Sequence, residues 1–279
     1  MEYLNKFLEG SCFDLINQLP DESIDLIVTS PPYADIKSYG GNINVLHPDN
    51  YNDWIIPLMC DAYRVLKPSG SFVVNIGDKI HKKHRHTYAL EYPVRVIRET
   101  ELSLYDRYFW KRPGIPNGSA KRLNNFMELI YHFVKDVNKI KFNMDNVREE
   151  YKASSVNRYN SKMNFYDIRD DGTKVLKEQK MRSLNPKGKT PDGLFTFPNN
   201  SKMKGSKHPA PFHPDLPEWF IKALTDEGDV VLDTFMGSGS TAIAAMNTNR
   251  KWVGFELNPT YITQAVDRVE KEYPANDFF

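Results

Sequence analysis

The sequence predicts an α/β fold built on a mainly parallel sheet and interrupted by one long insertion. Three observations predict it. Short apolar runs of strand length alternate with longer amphipathic runs over the first 110 residues. The same rhythm resumes from Leu216 onward. Between them, and most clearly from Asn143 to Thr190, the chain is polar, rich in Asn, Lys, Arg and Tyr, and weakly periodic. Alternating strands and helices bury a parallel sheet under helices, whereas a polar, aperiodic stretch has little core of its own.

Ser23–Ser30 (SIDLIVTS) reads as a strand entered from the turn-rich Leu19-Pro20-Asp21-Glu22. It must stop at Pro31-Pro32, because proline has no N–H for a ladder. Tyr51–Leu66 carries Trp54, Leu58, Ala62, Val65 and Leu66 at helical spacing and ends at the Lys67-Pro68-Ser69-Gly70 break. Ser71–Ile76 is an apolar strand, Ala89–Glu101 a helix, Leu104–Lys111 a strand and Glu128–Val134 a strand. After the insertion come a helix at Leu216–Leu224, a strand at Val230–Asp233, a turn at Gly237–Gly239, a helix at Ser240–Asn247, a strand at Lys251–Glu256 and a helix at Pro259–Glu272. There is no internal repeat. The expected divisions are 1–110, 111–190 and 191–279.

At 279 residues the chain is long enough for a substantial core, so it is no small stapled scaffold. Two cysteines, Cys12 and Cys60, argue against a disulfide framework or a Cys-based zinc site and fit a reducing cytosol. No apolar run approaches the length of a membrane span, and the first ten residues lack the pattern of a secretion signal. The expectation is a cytoplasmic protein with no membrane partner. The net charge is only +1, but Arg107–His208 holds 22 Lys+Arg against 10 Asp+Glu, which leaves 15 against 26 for the two flanks. A basic block between acidic flanks reads either as a solvated, loop-rich surface or as a footprint for a phosphate backbone. His81, His84 and His86 cluster in a Lys/Arg-rich turn without nearby Cys or carboxylates, which favours a solvated or phosphate-facing loop over a metal site.

Two motifs carry chemistry. In Val231-Leu232-Asp233-Thr234-Phe235-Met236-Gly237-Ser238-Gly239-Ser240-Thr241 a strand ends in an acid and passes through a two-glycine turn into a helix. Such a turn lets backbone approach a ligand and aims helix N–H groups at it, although a tight structural turn would have the same sequence. Glu256 ends the next strand, where a carboxylate can accept hydrogen bonds from a ribose diol. Neither G-x-x-x-x-G-K nor a full G-x-G-x-x-G is present, which disfavours ATP and NAD. The second motif is Thr29-Ser30-Pro31-Pro32-Tyr33, directly after a buried strand. Its plain reading is a polyproline turn with an aromatic packed beside it. Its chemical reading is a receptor for an exocyclic amine, with the Ser30 hydroxyl and Pro31 carbonyl as acceptors and Tyr33 as a flat face.

Ser-Pro-Pro-Tyr after a strand, combined with Asp-x-Phe-x-Gly-x-Gly, resembles the S-adenosylmethionine-dependent amino-methyltransferases that act on DNA. With the catalytic motif first, the cofactor motif last and a variable basic segment between, the order is that of the permuted β group. Arg64-Val65-Leu66-Lys67-Pro68, Trp110-Lys111-Arg112-Pro113, Gly188-Lys189-Thr190-Pro191-Asp192 and His208-Pro209-Ala210-Pro211-Phe212 also resemble family segments. The fold implied is a Rossmann-like methyltransferase with a mixed, mainly parallel sheet and an inserted target-recognition segment. The divisions then become a catalytic half, a basic target-recognition region and a cofactor-binding half.

The resemblance implies S-adenosyl-L-methionine as cofactor. It implies Ser30, Pro31, Pro32 and Tyr33 as catalytic, and Asp233, Phe235, Gly237, Ser238, Gly239, Thr241, Glu256, Pro211, Phe212 and Ser11 as cofactor-binding. Ser11 stands where many relatives have Asp, so it offers a hydroxyl and no charge. Ser-Pro-Pro-Tyr is the form typical of cytosine-N4 enzymes; adenine-N6 methylation is the alternative, and a non-catalytic DNA-binding module of the same fold is a second. Neither cysteine resembles the nucleophile of cytosine-C5 enzymes, and both are expected as small core or near-core residues. Lys111, Arg112, Arg148, Lys152, Arg158, Lys162 and Arg169, interleaved with Tyr151, Tyr159, Phe165 and Tyr166, are the candidate DNA contacts. The implied partners are double-stranded DNA and a cognate restriction endonuclease, with homodimer formation as in relatives of the permuted group.

Overall fold

A computed structural model describes residues 2–34, 46–112, 121–159, 162–181, 184–197 and 214–273. Its elements in chain order are β1 (Lys6–Glu9), α1 (Cys12–Leu15), β2 (Ile24–Thr29), α2 (Tyr51–Val65), β3 (Leu66–Ile76), β4 (Ile80–His81), β5 (His84–Arg85), α3 (Tyr88–Glu99), β6 (Ser103–Lys111), β7 (Met127–Val134), α4 (Ala153–Tyr159), β8 (Lys162–Ile168), β9 (Lys174–Met181), β10 (Leu194–Thr196), α5 (Asp215–Leu224), β11 (Val230–Asp233), α6 (Ser240–Asn247), β12 (Lys251–Glu256) and α7 (Pro259–Glu272).

Contacts divide the chain into two units, 1–142 with 193–279, and Asn143–Asp192. The first holds an eight-stranded sheet in the order β1-β12-β11-β2-β3-β7-β6-β10. Every pairing in it is parallel except those of β7, which runs antiparallel to both β3 and β6. This is the mixed, mainly parallel sheet the sequence predicts. The six residues of β2 are all buried, as a central parallel strand requires. On one face Ile27, Phe72, Val74, Phe133 and Leu232 join Ile55 and Met59 of α2 and Tyr92 of α3 in one apolar cluster. On the other, Phe220 of α5 meets Tyr108 of β6 with ring centroids 5.7 Å apart.

The structure departs from the sequence reading in four places. The Lys67–Gly70 break lies inside β3 as an excursion: Ile24 pairs with Leu66 and Leu26 with Ser71, so four residues bulge out between them. β1, α1 and β10 are three or four residues long, below the length at which periodicity is visible. The polar insertion folds an antiparallel hairpin, β8 with β9, around a turn in which Arg169 N–H donates to Thr173 O and Gly172 takes φ 83°. Finally, the segment anticipated at 111–190 is divided: β7 sits inside the main sheet, and the separate unit begins at Asn143.

Candidate active site

The strand order fixes where a ligand can bind. From β2 the chain proceeds to β3 on one side, whereas β11 leads to β12 on the other, so the order reverses between β2 and β11. The carboxyl ends of strands at such a reversal leave a crevice. The ends of β2, β11 and β12 deliver Ser30, Thr234 and Glu256 to one cleft of about 260 Å³. Gly10, Ser11, Cys12 and Phe13 close one side, Pro31, Pro32 and Tyr33 another, and Trp54, Phe235, Leu257 and Tyr261 supply apolar surface.

Glu256 faces this cleft with both oxygens already engaged: Oε2 accepts from Gly237 N–H at 2.9 Å and Oε1 from Asn258 N–H at 2.8 Å. Each oxygen has a second lone pair for a ligand hydroxyl. Burial pushes the Glu256 carboxyl above the usual carboxylate range, against the pull of the Asn258 and Gly237 amides. The glycine turn that donates to Glu256 needs its glycines: Gly237 and Gly239 have φ 53° and 81°, and a side chain at Gly239 would crowd Ala265. Ser11 lines the cleft and caps α1, accepting from Phe13 N–H at 3.3 Å.

Asp233 is placed otherwise than expected. It is 3% exposed and does not line the cleft. Its Oδ1 accepts from Thr29 Oγ1 (2.6 Å) and Phe235 N–H (3.0 Å), and its Oδ2 from Thr241 Oγ1 (2.5 Å). Burial pushes its carboxyl upward while these three donors pull it down. Asp233 therefore ties the end of β2 to the glycine turn and contacts no ligand directly. Gly237, Ser238, Gly239 and Thr241 likewise stand behind the cleft rather than in its lining. Pro211 and Phe212 lie outside the described residues.

At the other end, Tyr33 is slotted against Gly77, and its hydroxyl is the centre of a polar cluster. Tyr33 Oη donates to Glu128 Oε2 at 2.8 Å, Asn75 Nδ2 donates to Tyr33 Oη at 2.7 Å, and Ser30 Oγ lies 3.2 Å away. Asn75 Nδ2 also donates to Glu128 Oε2 at 2.6 Å, and Arg112 Nε closes an ion pair with Glu128 Oε1 at 2.6 Å. Sequence reasoning assigned no role to Asn75 or Glu128. The available signal was a polar residue inside an apolar strand, SFVVNI in one case and MELIYHFV in the other. Trp54, read as a core position of its helix, is also a cleft residue, 5.6 Å from Phe13 and 5.8 Å from Phe235 between ring centroids.

The proposed DNA contacts are scattered. Lys111 is exposed at the end of β6, while Arg112 is turned onto Glu128. In the Asn143–Asp192 unit, Arg148 pairs with Asp145 at 2.7 Å, and Lys152 and Arg169 are exposed. Arg158 and Lys162 lie on α4 and β8, with side chains outside the described residues. Cys12 is buried, its thiol pushed up to about 12 by burial; Cys60 is exposed on α2, not in or near the core as expected. His84 is exposed and His86 is held by Asp49 at 2.8 Å.

A family model described as DNA methylase matches residues 24–267. Over 282 residues the chain is 31% identical to the type II methyltransferase M.PvuII of Proteus hauseri, covering 93% of this chain and 82% of that protein. It is 26% identical over 267 residues to the DNA adenine methyltransferase YhdJ of Escherichia coli strain K12, covering 94% and 82%. Among solved structures, PvuII DNA methyltransferase (cytosine-N4-specific) superposes with a TM-score of 0.72 at 25% identity, over 98% of this chain and 88% of that one. A DNA modification methylase of Thermus thermophilus, TTHA0409, complexed with S-adenosyl-L-methionine, shares the fold with a TM-score of 0.64 at 22% identity, over 97% and 95%. With the matched model spanning the strands that build the cleft, the chain belongs to the N6/N4 DNA methylase family.

Proposed function

We propose that this DNA methyltransferase moves the methyl group of S-adenosylmethionine to the exocyclic N4 of cytosine within a short duplex sequence, as the modifying partner of a restriction system. The observation that carries the reading is the single cleft joining Ser30-Pro31-Pro32-Tyr33 to Glu256 and Phe235. The lining fits the cofactor chemically: the Glu256 carboxylate suits a ribose diol, and the Phe13, Trp54 and Phe235 faces suit an adenine and attract a cationic sulfonium. Cytosine is supported by Ser30 and by the likeness to the PvuII enzyme.

When bound, S-adenosylmethionine supplies an electrophilic methyl group. The residues of the chain do the rest. The target nucleotide must leave the duplex at a cost of a few kcal/mol. Tyr33 offsets part of this by stacking, worth about 1 to 3 kcal/mol per base. The amine lone pair is delocalised into the ring, so the Ser30 hydroxyl and Pro31 carbonyl accept its two N–H groups, favour a pyramidal nitrogen and stabilise the positive charge that develops on it. With the Cys12 thiol protonated by burial and Cys60 on the surface, no thiolate nucleophile is involved.

Incubation with labelled S-adenosylmethionine and mixed-sequence DNA, followed by nucleoside analysis, is expected to give N4-methylcytosine. N6-methyladenine overturns the base assignment, and label absent from DNA overturns the proposal. Ser30→Ala is expected to lower turnover at least about 100-fold while DNA binding is retained. Methylation-sensitive sequencing of DNA from a host expressing the chain reads out the recognition sequence.

A further inference from the structure

We propose that Glu128 is a positioning residue for methyl transfer: through the Tyr33 hydroxyl it sets the direction of the Ser30 proton and so leaves the Ser30 oxygen free to accept from the target amine. This inference rests on the proposed reaction and assigns it a residue outside the Ser-Pro-Pro-Tyr motif.

The strand pattern explains why Glu128 is where it is. Alternation along β7 puts Glu128, Ile130 and His132 on one face, and cross-strand pairing with β6 sets Glu128 opposite Trp110, two residues before Arg112. On β3, Asn75 pairs with Ile130 and shares that face. The carboxylate is 3% exposed and Asn75 is 1% exposed. Burying a carboxylate costs several kcal/mol unless it is paired and hydrogen-bonded, and here Arg112, Asn75 and Tyr33 supply the partners.

Proton bookkeeping then runs one way. A carboxylate only accepts, so the single Tyr33 hydroxyl proton goes to Glu128 Oε2. The Asn75 amide must turn its nitrogen toward Glu128, since an amide oxygen 2.6 Å from a carboxylate oxygen would be repelled, and that nitrogen also donates to Tyr33 Oη. With its proton committed to Glu128 and one lone pair taken by Asn75, Tyr33 Oη can meet Ser30 Oγ only as an acceptor. Ser30 therefore donates to Tyr33 and points its own lone pairs away, toward the cleft that Ser30 lines. Without Glu128, the Tyr33 proton can turn to Ser30 and occupy the oxygen that the amine needs.

The test is a double-mutant cycle of Glu128→Gln and Tyr33→Phe on duplex substrate, read by single-turnover rate, KM for DNA and affinity for S-adenosylmethionine. Phe keeps the stacking ring and removes only the hydroxyl. Each single change is expected to slow transfer by about 10- to 100-fold with both affinities unchanged, and the double change to be no slower than Tyr33→Phe alone. Multiplying losses, a wild-type rate in Glu128→Gln, or a change confined to the KM for DNA would overturn the proposal; the last would make the Arg112–Glu128 pair part of DNA binding. If Glu128→Gln does not fold, Tyr33→Phe decides alone: a slowed rate supports the relay and a wild-type rate overturns it. Failure of the underlying reaction is distinct, because the unaltered protein would then leave no methyl label in DNA.

Discussion

Tyr33 owes its pose to a side chain that is absent. An ideal Cβ on Gly77 would stand 2.7 Å from Tyr33 Cε2 and 2.9 Å from Cδ2, both inside contact distance and both on a rigid ring. Gly77→Ala therefore has to displace the ring, and with it the hydroxyl bonded to Glu128 and Asn75. Overpacking of this kind costs about 1 to 3 kcal/mol where the surroundings are fixed. Misplacing a reacting group by about 1 Å costs on the order of 100-fold in rate. Transfer by Gly77→Ala, measured as a single-turnover rate, is expected to fall by at least about 10-fold with the fold intact by circular dichroism. A wild-type rate would show that the ring's position does not matter to transfer. The glycine and the tyrosine are 44 positions apart in sequence, and no local pattern pairs them.

At the scale of elements, the glycine turn is held from below. Met236 lies across Gly254 of β12, with its Cγ 2.8 Å and its Cβ 3.1 Å from where a Cβ on Gly254 would sit. Met236 N–H also donates to Phe255 O at 2.9 Å, and Gly237 N–H to Glu256. Gly254→Ala should lift Met236, shift the turn and disturb the donor that orients Glu256. The expected result is a loss of about 1 to 3 kcal/mol in urea unfolding together with weaker binding of S-adenosylmethionine by calorimetry. Unchanged affinity would separate the turn from the cofactor. Elements such as these show what a sequence reveals. β11, α6, β12 and α7 were legible because each carries its own signals: an apolar run, a glycine turn, or the Asn258 side chain accepting from Thr260 N–H before Pro259. β1 was not, because its four half-exposed residues are a strand only by pairing with β12, some 247 residues away. The site divides the same way. Ser30, Phe235 and Glu256 sit just past strands whose ends converge, so motif position located them. Glu128, Asn75 and Trp54 sit inside elements, where apolar periodicity accounts for their neighbours and hides the exception.

At the scale of the molecule, the +12 of Arg107–His208 is not the property of the inserted unit. Residues 143–192 hold 11 Lys+Arg and 8 Asp+Glu, a net of +3, and Arg148, Lys177, Lys187 and Lys189 of that unit are paired with its own carboxylates. Most of the excess lies in the flanking segments, so charge alone does not delimit a DNA-reading domain. A different charge governs the stability of the whole sheet. His132 is fully buried on β7 between Ser71 Oγ (3.0 Å from Nε2) and Tyr108 Oη (3.4 Å from Nδ1), and burial lowers its pKa from 6.5 to about 3. The unfolded chain takes up this proton as pH falls through 6.5, whereas the folded chain refuses it until about 3. Protons then bind the unfolded state preferentially, so the contribution is complete above pH 6.5 and is lost by about 1.4 kcal/mol per pH unit as pH falls through that window. Asp233 and Glu256, with carboxyls raised by burial, act in the opposite sense and make folding less favourable as pH rises from their ordinary values. Comparing wild type with His132→Gln cancels them. Urea unfolding at pH about 7.5 and about 5 should show the wild type losing about 2 kcal/mol relative to the variant between the two. Parallel pH curves would mean that His132 finds a way to carry its charge inside the fold.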